Sequence, residues 1–176
     1  MFDKADDNEI KNNILAIGGN ELEIWKRTVI ADDQLFEQIF HFIFSDDPKI
    51  AWRSCWIIDS ASEDYPDLLT DKIPAIISGL LTTKNSSLKR HFTRILCRYK
   101  IPDEYLGEVV DRSFLLLSTN EPAAVRVFAM QLLFNIAQDF PDLKVELICY
   151  LDNLLEEGAS AGFINRATKL LRKLRS

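Results

Sequence analysis

Residues 123–137 read AAVRVFAMQLLFNIA. If this stretch is helical, it is apolar around almost its whole circumference, and Arg126 is its only charged residue. A helix that is apolar all round is normally buried, and this stretch is too short for a membrane span of about 20 residues. The stretch raises the question of whether Arg126 is a binding site or only part of a repeated pattern.

The apolar residues of this helix follow a pattern that recurs four times. Counted from the first of them, positions 0, +4, +7, +8 and +11 lie on one face of a helix. The four segments, which we name B helices, start at Ile50, Leu88, Val125 and Phe163, so that the interval between them is nearly constant. Only Ser54 interrupts their apolar character. Their members are Ile50, Ser54, Ile57, Ile58, Ala61; Leu88, Phe92, Ile95, Leu96, Tyr99; Val125, Ala129, Leu132, Leu133, Ile136; and Phe163, Ala167, Leu170, Leu171, Leu174.

Pro-Asp dipeptides mark a second series of helices between the B helices. They occur at 66–67, 102–103 and 141–142, at intervals similar to those of the B helices. Proline suits the first helical position, and an early Asp suits the positive end of the helix dipole. We predict A helices at about 66–82, 102–118 and 141–157, and an earlier one at 33–44. Two shorter helices, at about 6–17 and 20–31, are expected to form an N-terminal cap over residues 1–32.

Composition favours an all-α protein of one domain. The chain has 176 residues, of which 47% are apolar, and only six glycines. It has no Asn-Gly or Asp-Gly hairpin dipeptide and no sustained apolar–polar alternation, which argues against sheets. The N-terminus lacks the apolar run of a signal peptide, and no segment is long enough to span a membrane. We therefore expect a cytoplasmic protein without a membrane partner.

The runs Val125-Arg126, Ala129-Met130 and Leu132-Leu133 resemble the B helix of HEAT repeats, and the repeat period is close to that of HEAT and armadillo units. This resemblance covers about 33–176 and implies a right-handed α-α superhelix of about four two-helix repeats. The segments SAGFINRATKLLRKL (160–174) and IAWRSCW (50–56) are also similar to uncharacterised bacterial HEAT-like proteins. Some of these carry the name of adenylosuccinate lyase, but the chain lacks that enzyme's signature loop and is far shorter.

Four arginines look like a ladder along the B helices. Arg53, Arg90, Arg126 and Arg166 recur once in each B helix, but their offsets in the apolar pattern are +3, +2, +1 and +3. They are therefore not equivalent positions. We interpret Arg126 as a largely exposed residue whose replacement by alanine costs under about 1 kcal/mol.

No residues are arranged for catalysis, metal binding or cofactor binding. His41 and His91 lack ligands at helical spacing, and His91 is expected to be partly exposed. Nucleophile turns, Walker loops and dinucleotide-binding glycine motifs are missing. Cys55, Cys97 and Cys149 are widely spaced and are interpreted as buried thiols. We predict a protein that is not an enzyme and has no metal or cofactor.

Charge separates the two series of helices. The B segments 48–62, 86–100, 122–138 and 159–176 carry a net +12, and the A segments 33–47, 64–83, 101–121 and 139–158 carry −15. In an α-solenoid one layer lines the concave face and the other the convex face. The sequence therefore predicts opposite charge on the two faces.

One row of B-helix residues is the candidate binding surface. Offsets +2, +6 and +10 lie opposite the apolar stripe and combine tryptophan, arginine and lysine, which are common in binding surfaces. An alternative is that the tryptophans pack under the N-terminal helices and the arginines pair with A-helix carboxylates. The candidate partner-binding residues are Trp52, Trp56, Arg90, Arg94, Arg98, Gln131, Lys169 and Lys173.

Three functions remain open at this point. The first is a non-enzymatic scaffold whose concave B face binds an acidic protein segment. The second is a HEAT-like nucleic-acid-binding protein or DNA glycosylase relative, although the isoelectric point of about 5.0 argues against nucleic acid as a partner. The third is a helical subunit of a larger assembly. The oligomeric state does not follow from the residues.

Overall fold

The computed structural model of the chain describes residues 7–19, 21–157 and 160–176. Ten α-helices and two 3-10 turns account for most of this described part, in which no strand occurs. The helices are α1 (Asp7–Ala16), α2 (Leu22–Ala31), α3 (Asp33–Phe42), α4 (Pro48–Asp64), α5 (Ile73–Thr82), α6 (Ser86–Leu96), α7 (Leu106–Ser118), α8 (Ala123–Ile136), α9 (Pro141–Glu157) and α10 (Ala161–Arg175); the 3-10 turns are Pro66–Leu69 and Asp103–Tyr105.

The all-α prediction is confirmed, and the chain divides into two compact units. The N-terminal unit comprises residues 1–79 and the C-terminal unit residues 80–176, so that α5 spans the boundary. The A helices are α3, α5, α7 and α9, and the B helices are α4, α6, α8 and α10. The single domain and the division into a cap over 1–32 and repeats over 33–176 stay predictions.

In the N-terminal unit, α4 is the helix around which the others pack. Helices α1, α2 and α3 all contact it. Its apolar stripe is fully buried together with Ile14 of α1, Val29 of α2 and Ile39 of α3. The Asp47 carboxylate accepts hydrogen bonds from the Lys49 and Ile50 amides, which caps the α4 N-terminus.

In the C-terminal unit, α8 has this central position. It contacts α6, α7, α9 and α10. Its buried residues include Met130 as well as the predicted stripe, so that two sides of the helix are covered. The stretch 123–137 is therefore a buried helix at the centre of this unit. Because α6 and α10 both pack against α8, these three B helices lie side by side.

The repeated apolar pattern matches burial at every position except one. All members of the α4, α8 and α10 sets are buried, and so are Leu88, Phe92, Ile95 and Leu96 of α6. Tyr99 is only half-buried because α6 ends at Leu96. Its last backbone bonds, from Arg98 to Ile95 and from Tyr99 to Leu96, span three residues and tighten the chain into a 3-10 turn.

Two A helices are shorter than predicted. The segment 66–82 is not one helix, since a 3-10 turn at Pro66–Leu69 precedes α5. Pro74 explains the break, because a proline inside a helix removes one amide donor and clashes with the carbonyl four residues earlier. The segment 102–118 likewise begins with a 3-10 turn, and α7 starts only at Leu106.

Ser54 interrupts the apolar stripe of α4, and replacing it with alanine should stabilise the protein. Its side chain is fully buried, and its hydroxyl has no hydrogen-bond partner among the described residues. Burying an unpaired hydroxyl costs about 1 to 3 kcal/mol, and alanine is the better helix former. We expect Ser54→Ala to raise the free energy of unfolding by about 1 kcal/mol in urea denaturation.

Ser113→Ala is the matched control. Ser113 is also buried within a helix, but its hydroxyl donates a hydrogen bond of 2.7 Å to the Val109 carbonyl. The control loses this bond and should give no stabilisation. A loss of stability in Ser54→Ala equal to that in Ser113→Ala would show that the Ser54 hydroxyl is bonded in solution.

Candidate functional site

The eight predicted binding residues are divided between the two units. Trp52 and Trp56 lie on α4 in the N-terminal unit. The other six belong to the C-terminal unit, with Arg98 in the turn that follows α6. The two groups are therefore treated as separate surfaces.

The two tryptophans stack on each other along α4. Their ring centroids are 6.2 Å apart with an interplanar angle of 29°, and both side chains are half-buried. The Arg53 guanidinium lies 5.3 Å from the Trp52 ring centroid. Trp52 and Arg53 also line an open cavity of about 430 Å³ with Leu15 of α1. Trp52 thus stays partly accessible beside the first helix.

Arg53 itself has a structural role. Its Nη1 donates hydrogen bonds to the carbonyl oxygens of Ile14, Leu15 and Ile17, at 3.1, 2.7 and 2.9 Å. These carbonyls lie at the C-terminal end of α1, where the last four carbonyls of a helix lack intrahelical donors. The guanidinium satisfies them and complements the negative end of the helix dipole.

Arg126 has a similar role in the C-terminal unit, and this answers the question raised by residues 123–137. Its Nε donates to the Leu117 carbonyl at 3.1 Å, near the end of α7, and its guanidinium lies 4.5 Å from the Phe163 ring centroid. Arg112 binds the Leu80 and Thr83 carbonyls at the end of α5 in the same way. Arg126 is half-buried, so our interpretation of it as largely exposed was wrong.

Most of the positive charge of α6 is already engaged within the chain. Lys89 is nearly buried and forms an ion pair with Glu121, which also accepts a hydrogen bond from the Ser86 hydroxyl. Arg94 and Arg98 are half-buried and interact with other groups of the chain. The net +5 of residues 86–100 therefore overstates the charge that a partner could reach.

The environment of Glu121 lowers its pKa. Burial by itself raises the pKa of this carboxyl, but hydrogen bonds from Lys89 and Ser86 and the positive charges of Lys89 and Arg112 outweigh burial. The pKa therefore lies below the ordinary value of 4.5. The ionised pair ties the start of α6 to the loop that follows α7.

A strip of polar side chains crosses the B helices of the C-terminal unit. Arg166 on α10 donates to the Gln131 side-chain oxygen on α8. Gln131 donates to the Asn135 side-chain oxygen at 2.6 Å, and Asn135 donates to the Cys97 carbonyl at 2.8 Å. This chain of bonds orients the Gln131 amide and joins α10 to the end of α6.

Among the cations of the predicted row, the exposed ones lie on α10. Lys169 and Lys173 are exposed, and so is Arg172, which the predicted row did not include. No hydrogen bond or ion pair joins these three side chains to the other side chains that the structure describes. Residues three and four apart are neighbours on a helix surface, so the three cations form one exposed patch beside the polar strip.

Two further expectations were wrong, and both concern burial. His91 was expected to be partly exposed but is only 2% exposed, and its Nε2 lies 3.0 Å from Arg90 Nη2. Cys55 is buried as expected, whereas Cys97 is half-buried and Cys149 is exposed on α9. Offsets in one helix do not show what its neighbours cover, which explains both errors.

The described residues contain no cluster of histidine, cysteine and carboxylate side chains that could hold a metal ion. Of the helices described, none has the length and apolar character needed to cross a membrane.

Comparison with known proteins identifies the repeat family. The family profile described as HEAT repeat domain matches residues 16–174, which is nearly the whole chain. No curated protein and no solved structure matches the chain.

Replacing Arg126 should destabilise the protein by more than the sequence analysis predicted. Arg126→Ala removes a charged hydrogen bond to a helix end and a cation–π contact, so we expect a loss of about 2 kcal/mol. Leu133→Ala, which leaves a cavity in the centre of the unit, should cost about 2 to 5 kcal/mol. Urea unfolding of both variants checks this order, and a loss in Arg126→Ala below about 0.5 kcal/mol would contradict the capping role.

The Glu121–Lys89 pair should make the stability of the protein depend on pH in the acidic range. A carboxyl whose pKa is lowered by folding stabilises the protein fully at pH values above its ordinary pKa of 4.5. This stabilisation is lost as the pH falls through the lowered pKa. At pH 7, Glu121→Gln should cost about 3 kcal/mol because Lys89 loses its partner. The stability difference from wild type should shrink as pH falls below 4.5.

Glu108→Gln, on the exposed side of α7, controls for general carboxyl titration. The difference between this variant and wild type should be small at every pH. Urea unfolding at several pH values between 3 and 7 measures both variants. A Glu121→Gln cost that stayed constant over this range would show that the pair does not titrate as described.

Proposed function

Because the chain belongs to the HEAT repeat domain family, we propose that it is a non-enzymatic scaffold that binds an acidic protein segment through its B helices. HEAT repeats commonly mediate protein–protein interactions. The observation that carries the proposal is the patch of Lys169, Arg172 and Lys173 on α10 beside the ordered polar strip. A cytoplasmic location is part of the proposal.

The charge of the C-terminal unit supports an acidic partner. Residues 80–176 contain 14 basic and 11 acidic residues, a net of +3, although the whole chain has a net of −6. Like charges three and four residues apart on a helix repel each other by a few tenths of a kcal/mol per pair. Carboxylates of a partner would relieve this repulsion and speed association at low salt.

The polar strip supports direct recognition of a peptide. Gln131 and Asn135 are already oriented by hydrogen bonds, so binding does not need to order them. The strip lies on α8 and reaches α10 through Arg166. A segment bound along the patch could therefore hydrogen-bond to the strip while its carboxylates contact the cations.

The tryptophan pair is a second, separate part of the proposal. Large, partly accessible aromatic side chains are frequent binding hot spots. Trp52 and Trp56 are stacked and half-buried, so they present a rigid surface at little entropic cost. We assign them to contacts with an apolar part of a partner.

Charge reversal on α10 tests the acidic segment. A fluorescent peptide of alternating Glu and Leu residues is the probe, and binding is followed by anisotropy at low and high salt. Lys169→Glu with Lys173→Glu should weaken binding at least about tenfold, and salt should weaken wild-type binding. Thermal unfolding should change little because both side chains are exposed.

Arg27→Glu with Lys84→Glu is the matched control, since both side chains are exposed, lie outside the patch and do not line the cavity beside Trp52. It changes the net charge equally and should retain wild-type affinity. Equal losses in the two double variants, or no peptide binding, would contradict the proposal. Tighter binding of a DNA duplex than of the peptide would favour a nucleic-acid-binding protein, and stable co-purification of a large enzyme would favour a subunit role.

A further inference from the structure

The early end of α6 leaves a cavity in the C-terminal unit. In the repeat pattern Tyr99 corresponds to Ile136 at the end of α8, but α6 stops at Leu96, and Tyr99 lies in the turn beyond it. A cavity of about 310 Å³ opens at this point between the ends of α6 and α8 and the start of α7. Departures from a repeated pattern are often found at functional sites.

The cavity has an apolar floor and aromatic walls. Leu132 and Ile136 of α8 and Ile101 line it and are otherwise buried. Tyr99 and Phe140 line its sides, and Phe140 is 43% exposed. An exposed phenylalanine beside an apolar floor favours the binding of an aliphatic chain, and aromatic faces attract cations.

The charged residues of the lining are mainly acidic. Asp103 and Asp139 both line the cavity and are exposed, whereas Lys100 is its single basic residue. No ion pair of Lys100 with either carboxylate occurs in the described part of the chain. The two carboxylates are therefore available to a cation from outside.

We infer that this cavity binds a lysine or arginine side chain of a partner protein. The aliphatic part of that side chain would lie on Leu132 and Ile136, and its charged group would lie between Phe140 and the carboxylates. The volume is at the lower end of small-molecule pockets, which are about 300 to 1,000 Å³. It suits one long side chain presented by a backbone outside the cavity.

This site is distinct from the surface on α10 and does not depend on it. The proposed function requires cations that contact an acidic segment, whereas the cavity offers carboxylates to a basic residue. Asn135 lines the cavity and also ends the polar strip. One partner segment with acidic residues and a basic residue could therefore occupy both, but each can be tested alone.

Amino-acid amides test the cavity directly. The probes are Nα-acetyl-arginine methylamide, Nα-acetyl-lysine methylamide and the neutral Nα-acetyl-norleucine methylamide, titrated into the full isotope-labelled chain. Amide chemical shifts of Lys100, Asn135 and Phe140 report on binding. At low salt we expect both cationic probes to bind at least about tenfold more tightly than the norleucine probe.

Two variants should shift the affinity in opposite directions. Asp103→Asn with Asp139→Asn should reduce the affinity of the cationic probes to that of norleucine. Lys100→Gln should raise the affinity of the cationic probes about threefold, because it removes a positive charge that repels them. Asp142→Asn with Glu146→Gln is the matched control, since both carboxylates are exposed on α9 and do not line the cavity.

Equal affinity for the cationic and norleucine probes would overturn the inference, and so would shifts that are spread over the surface. An absence of chemical-shift changes at millimolar probe concentration would also overturn it. So would a loss of affinity in the α9 control variant equal to that in the cavity variant. Because all these substitutions are at exposed positions, the amide spectrum should keep its dispersion. Lys169→Glu with Lys173→Glu should leave probe binding unchanged, which separates a failure here from a failure of the proposed function.

Discussion

The burial of α8 is the constraint on which the C-terminal unit depends. This helix is apolar on more than one side, and Val125, Ala129, Met130 and Leu133 are buried against four neighbouring helices. Transferring the side chains of Val125, Met130 and Leu133 out of water stabilises the fold by about 1.5 to 3 kcal/mol each. No single partner helix can cover them all, so α6, α7, α9 and α10 must surround α8. The three B helices of this unit, α6, α8 and α10, consequently become neighbours, and their outward residues form a common surface.

This arrangement creates a second requirement, which is to satisfy the ends of the helices. The last carbonyls of every helix lack intrahelical donors, and those at the ends of α1, α5 and α7 need donors from elsewhere. Arg53, Arg112 and Arg126 each reach such an end from another helix. Arginine suits this role because it has several donors in a planar group that is always charged. These arginines therefore serve the fold, and on the B helices of the C-terminal unit it is α10 that keeps exposed cations for a partner.

The candidate site could be predicted from the sequence only in part. Lys169 and Lys173 were placed in the exposed row by their helical offsets, and the structure places them there. Gln131 was also in the row, but its bond from Arg166 joins α10 to α8, and no offset within one helix predicts it. Arg172 was missed because it lies one position outside the row and is exposed on a helix covered by few neighbours. The repeat pattern gave no indication of the cavity except at Tyr99. Tyr99 departs from the pattern because α6 ends early, and only the structure shows where α6 ends.

The sequence by itself determined the number of B helices, their approximate positions and their buried faces. Periodicity is a local property, and an apolar stripe that recurs at a nearly constant interval requires a matching series of apolar contacts. Only the tertiary structure decided which charges remain accessible. The acceptors that engage Arg53, Arg112 and Lys89 lie 29 to 39 residues away along the chain, so no offset within one helix could reveal them. Folding brings these groups together. The cations that then form hydrogen bonds within the chain have a structural role, and the others stay accessible to a partner.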